Sequence, residues 1–195
     1  LGRVRWSGDV RVRAQSDLPA ADNLPQTQLD FLDVNDRGGI DRAGVEAFTN
    51  TTEDRYRMRV QARLALEADL GSGVTTGARL VTGTPRDPIS LNQTLGQYGS
   101  RFAAAFDMAY VRWETRPRVG LGLMLQGGRF ANPWTSTDLV FDRDLTFDGV
   151  AASARGYWGG ESHAYLTLGA HPLDEVEVSA DDKWLLGGQL GTDLH

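Results

Sequence analysis

Arginine recurs at odd-numbered positions in two stretches of this sequence. Arg55, Arg57, Arg59 and Arg63 stand in one, Arg3, Arg5, Arg11 and Arg13 in the other. A guanidinium is always charged in a protein and presents a planar fork of donors. Rows of such groups beside water set ion selectivity in channels, and these would favour anions. Arg79, Arg112 and Arg155 fall in later segments of the same kind and join the basic set. The competing reading is that these side chains merely keep the interior wet and pair with loop carboxylates. Asp138, Asp142, Asp144 and Asp148 lie in the stretch 130–148. Folded inward opposite a basic wall, this stretch would form a constriction crossed by a transverse field; folded outward it is an ordinary solvated loop.

Two further constellations invite chemistry and fall short of it. Asp33, Asn35 and Asp41 fit part of a calcium-loop register, with Gly38 at the sharp turn. Arg37 stands where a third oxygen ligand belongs and Gly44 where the bidentate Glu should be. A turn-rich loop explains the same Asp, Asn and Gly content, and no metal is assigned. Ser162, His163 and His171 could suggest a hydrolase. In a strand the two histidines share a face about 26 Å apart, too far to cooperate in catalysis or to hold one metal. No Gly-x-Ser-x-Gly elbow is present. The sequence has no cysteine, so disulfides, thiolate metal sites and a Cys nucleophile are excluded. Nothing points to an organic cofactor or an enzyme.

The element that carries Arg55–Arg63 is a strand. Residues 53–70 put Tyr56, Met58, Val60, Ala62, Leu64, Leu66, Ala68 and Leu70 at even positions and charged residues at most odd ones. In a helix those apolar residues would encircle the cylinder, and Arg55 would repel Arg59 one turn on. In a strand they form one face. The same period recurs over 3–15, 73–83, 105–114, 118–129, 149–158, 162–171 and, more weakly, 183–195. This predicts about eight strands and no helix. Gly71-Ser72-Gly73, Thr115-Arg116-Pro117-Arg118 and Gly159-Gly160 read as tight turns. They alternate with long links at 17–52, 84–104, 130–148 and 172–182. Short turns at one end and long loops at the other mark outer-membrane barrels.

A soluble sandwich also alternates, with its apolar face inward. Three features favour a membrane barrel. The strand over 53–70 is about 18 residues long, against the 5–6 usual in globular sheets. Trp6, Tyr56, Trp113, Trp158 and Trp184 fall near the ends of apolar faces, as in an aromatic girdle. A mean hydropathy of −0.35 suits a wall in which alternate residues meet lipid. No run approaches the ~18 apolar residues of a spanning helix. A net charge of −6 argues against a nucleic-acid partner. The start at Leu1-Gly2-Arg3-Val4 has no initiator Met and no signal pattern, as expected of a mature or trimmed chain.

Two segments carry a resemblance. Residues 77–96, GARLVTGTPRDPISLNQTLG, and 127–156, GGRFANPWTSTDLVFDRDLTFDGVAASARG, are similar to the "Putative porin" family of Gram-negative outer membranes. So are SGDVRVRAQ (7–15) and RMRVQARLALEADL (57–70). The resemblance implies an all-β, antiparallel up-and-down transmembrane β-barrel in the bacterial outer membrane, with a passive channel for small hydrophilic or anionic solutes. Its partners would be the lipid bilayer and the solutes, with homo-oligomers such as trimers or other envelope proteins as further candidates. Family members are longer, so these residues are expected to be the N-terminal part of a larger single-domain barrel; a complete eight-stranded barrel is the alternative. In the small barrel side chains fill the interior and the arginines would be crowded; a wider one holds water. A non-conducting barrel with an adhesive or structural role and a soluble glycan-binding sandwich remain the other readings.

Overall fold

Alternating side chains across a pleated backbone build this molecule into an all-β sheet. The computed structural model describes residues 3–83, 90–96, 98–137, 139–142, 144–158, 162–175 and 182–194, without the side chains of Leu32, Asn35, Asp36, Val45 and Glu46. The strands are β1 (Val4–Asp17), β2 (Arg55–Gly71), β3 (Val74–Thr82), β4 (Gln93–Thr94), β5 (Ala104–Arg118), β6 (Leu121–Ala131), β7 (Thr146–Tyr157), β8 (His163–Asp174) and β9 (Lys183–Asp193). They pair in the order β1-β2-β3-β5-β6-β7-β8-β9, with β4 against β2. β2–β3 and every successive pair from β5 to β9 are antiparallel.

Contacts group the chain into two compact units. The first comprises Leu1–Asp9, Arg63–Val81 and Ala104–His195. In it the register places Trp113, Leu125 and Ala152 on one face of β5–β7, and carries this row on to Leu168 and Gly188. Arg112, Gln126 and Ala151 form the next row on the opposite face. The apolar face is bare: Trp6, Leu186 and Leu190 are 68%, 74% and 79% exposed. Val111, Val150, Leu166 and Trp184 are exposed with them. The buried apolar cluster lies elsewhere, around Tyr110, Phe130, Phe147 and Ala151, with Met108, Trp134, Phe141 and Leu145 packed against it.

The second unit comprises Val10–Ala62 and Thr82–Ala103. It holds the later part of β1, the earlier part of β2, and β4, which pairs through Arg59 with Thr94 and Val60 with Gln93. Val10, Val12 and Tyr56 are exposed here too. Two short helices, α1 (Phe31–Asp36) and α2 (Ile40–Ala43), and a 3₁₀ turn over Gly44–Ala47 occupy the link before β2. Ala43 and Ala47 are buried among them, and Leu29 bridges Phe48.

The sheet path is open among the described residues, with β1 and β9 each bonded to one neighbour; this is consistent with the expected part of a larger barrel. Three expectations change. The tight turn expected at 115–118 falls later, because β5 runs to Arg118 and the chain reverses over 119–120 before β6. The long link 17–52 contains helix, which its Asp/Gly-rich composition disguised. The alternation of β5 slips by one near its start. Phe106 and Ala109 are both exposed while Asp107 and Tyr110 are both buried, an odd spacing that a regular strand does not allow. The Gly159-Gly160 turn, residues 84–89 of one long link and 176–181 of another lie outside the described residues.

Candidate functional site

The charged face of the first unit is assembled by register. Opposite pairs Arg63–Val81, Ala65–Arg79 and Glu67–Gly77 put Arg63, Arg79 and Glu67 on one face of β2–β3. Gly77 makes room for the Tyr110 ring, since a Cβ there would lie 2.7 Å from the phenol. Thus seated, Tyr110 donates its hydroxyl to Glu67 Oε1 at 3.0 Å. Arg5 donates to the other oxygen of Glu67 at 2.8 Å. Arg63 donates to Asp9 through Nε at 2.7 Å and to Asp144 through Nη1 at 3.4 Å. Arg79 grips Asp107 with Nε and Nη2, a forked charge-assisted pair. The slip in β5 is what turns Asp107 toward Arg79. The basic set therefore meets carboxylates borne by the strands themselves: Asp9, Glu67 and Asp107.

The second unit repeats the pattern with more neutral partners. Arg57 pairs with Asp17, whose carboxylate also accepts from Gln15 at 2.7 Å. Arg13 donates to Gln15 at 2.9 Å and Arg11 to Asn92 at 3.2 Å. Arg59 reaches Ser90 Oγ at 3.1 Å and the carbonyl of Asn92. Arg3 and Arg55 make no ion pair among the described residues.

The link between β6 and β7 packs on the charged face of the first unit. Trp134 lies across Gly169 of β8 and Gly187 of β9, where a Cβ would come within 2.9 Å and 3.0 Å of the indole. The two glycines are opposite each other in register, next to the pair Thr167–Gln189. Thr135 and Gln189 exchange two hydrogen bonds, of 2.9 Å and 2.7 Å. Phe141 meets Phe147 edge-on at 5.7 Å. His171 is 1% exposed under Trp134 and Phe147, and its Nδ1 lies 2.8 Å from the Asp148 carbonyl oxygen.

The four acidic residues assigned to this link separate. Asp144 pairs with Arg63, and Asp142 accepts the Asp144 backbone N–H at 2.8 Å, holding the link's own turn. Asp148 belongs to β7 rather than to the link, and Arg129 donates to it across the β6–β7 pair at 2.7 Å. Asp138 lies outside the described residues. Arg112 sits over the Tyr110 ring at 5.0 Å and 3.7 Å from Glu114. Arg155, opposite Gly122 on the same face, lines a cleft with it. The calcium-loop residues do not form one loop: Asp33 is on α1 and Asp41 on α2, and the side chain of Asn35 is not among those described. No group of three or more His, Asp or Glu that could hold a metal occurs among the described residues.

Sequence reasoning missed Asp107, Trp134 and Gln189 as parts of this face. Asp9 and Glu67 were legible, since they share parity with the arginines of their strands. Asp107 was hidden by the slip in β5, and Trp134 by its place outside any periodic segment.

Fold and face together define an all-β protein with a bare apolar side and an ion-paired side. The chain belongs to the family described as "Putative porin", whose model matches residues 1–195. Porin-family proteins are structural or transport proteins and not catalysts, and this chain is not an enzyme. No curated protein matches it.

Proposed function

We propose that this chain contributes wall to an outer-membrane β-barrel, its apolar face against acyl chains and its charged face toward the barrel interior. One observation carries the reading: the apolar face is uncovered along the first unit's sheet, from Trp6 to Leu190. Left in water, each such side chain forgoes about 1.5–3 kcal/mol of burial. A soluble sandwich would need a second layer over this face, and none of the described elements lies there. A closed sheet leaves no edge in hydrocarbon, so the barrel is completed beyond the pairing described here. The interior is then a wet passage for small hydrophilic solutes. The link carrying Trp134 narrows it, and Asp144 opposite Arg63 sets charge across the constriction.

The ion pairs favour a second reading. Where Arg5, Arg57, Arg63 and Arg79 are neutralised by carboxylates, the field left for selecting anions is weak. A link laid on the interior face also occupies space. A non-conducting barrel with a structural or adhesive role fits both facts. Planar-bilayer recording decides between them. Discrete conductance steps with an anion-biased reversal potential support the passage, and silence from correctly folded, inserted protein supports the sealed barrel.

A further inference from the structure

On the charged face, β5, β6 and β7 floor a cleft of about 600 Å³. Its charge differs from that of most of the face, Arg3, unpaired among the described residues, apart. Elsewhere in the first unit Arg5, Arg63, Arg79 and Arg129 each have a carboxylate within 2.8 Å or less. Here Arg112, Arg116 and Arg155 share Glu114 as the one carboxylate among the lining residues. Even that pair is loose: Arg112 and Glu114 are 3.7 Å apart, and Arg112 Nε is buried with no hydrogen-bond partner among the described residues. Arg155 has no ion-pair partner there either. Across from it stands Gly122, so the floor beside Arg155 carries no side chain at that point, while the Glu114–Met124–Ser153 row lies between it and Arg112. Gln126 and Ser153 add neutral donors, and Tyr157 forms one wall.

We propose that this cleft is an oxyanion-binding subsite for a small carboxylate or phosphate solute. The inference rests on the charged face being water-facing, as in the reading above. Arg112 and Arg155 supply the planar forks that match an oxyanion's two oxygens. Ser153 and Gln126 donate to the oxygens left over. The open floor at Gly122 admits the anion beside the Arg155 guanidinium, and Arg112 adds its charge from the far side of Met124.

The test uses the full chain folded in detergent micelles, titrated calorimetrically with inorganic phosphate and, separately, with benzoate. Saturable binding of either at one equivalent is expected, and the probe that binds identifies the class. The double substitution R112Q/R155Q should weaken it at least tenfold, whereas R5Q, whose arginine lies outside the cleft, should leave it unchanged. Gly122→Asp places a carboxylate on the open floor and should abolish binding even if the double variant fails to fold. Absence of saturable binding by both probes, or equal binding by the Gly122→Asp protein, overturns the subsite. Binding needs no conduction: a silent protein that still binds sinks the passage alone, and a conducting one that binds nothing sinks the subsite alone.

Discussion

The value of an ion pair on this sheet depends on how much water it has lost. Arg79 and Asp107 have side chains 17% and 10% exposed, so each charge relies on the other. Removing one partner of so dry a pair costs about 3–5 kcal/mol, because a desolvated charge stays behind. Arg5 and Glu67 also form a direct pair, at 2.8 Å, but the Arg5 side chain is 78% exposed. Exposed pairs are worth about 0–1 kcal/mol. Urea unfolding of Asp107→Asn should therefore show a loss several times that of Arg5→Gln. The double substitution D107N/R79Q should recover part of it by removing the orphaned guanidinium. Equal losses for the two single variants would mean that the Arg79 site is as wet as the Arg5 site.

Among the elements, the link between β6 and β7 does what a surface loop does not: it inserts an indole between a strand pair and its own backbone. The seat exists because Gly169 and Gly187 are opposite each other and both lack side chains. Valine at position 187 would meet the indole at 3.0 Å with its first carbon and drive Trp134 off. Gly187→Val and Trp134→Ala should thus both make the link 132–145 cleavable by protease in the folded protein, and both should raise conductance if the barrel conducts. Resistance equal to the parent in both variants would place the link's anchorage elsewhere. None of this seat was readable from the chain. A register must be known before two glycines 18 positions apart can be seen to meet, and alternation gives faces without giving partners. The strands themselves were readable, β2 above all, because Tyr56 to Leu70 alternate with Ala65 as the one break. Helices α1 and α2 were not, since six and four residues hold too few turns to show a 3.6-residue period. The slip at Asp107 was lost for a related reason: one extra residue shifts parity without changing composition.

For the molecule taken whole, the sidedness of the sheet decides everything said of its place and purpose. Leu190 and Gln189 are neighbours on β9 and point to opposite faces. An arginine on the lipid face of a barrel costs about 2–4 kcal/mol at mid-membrane, and a lumenal one far less. Leu190→Arg should therefore destabilise the membrane-inserted protein more than Gln189→Arg, although the latter also loses the Thr135 hydrogen bonds. Tryptophan provides a sharper test, because the sequence holds five and the fold divides them. Trp6, Trp113, Trp158 and Trp184 are exposed, and the strand positions of Trp6, Trp113 and Trp184 put them with the apolar residues. Trp134 lies on the charged face against Gly169 and Gly187. Single-tryptophan variants, with the other four changed to Phe, can be inserted in vesicles whose acyl chains are brominated. The heavy atoms quench an indole only on near contact. Fluorescence of the Trp184 variant should fall strongly, while that of the Trp134 variant should match its value in ordinary lipid. A Trp134 signal quenched as deeply as that of Trp184 would put the ion pairs of Arg63 and Arg79 in hydrocarbon, where unsatisfied charge is least tolerated, and neither barrel reading could stand.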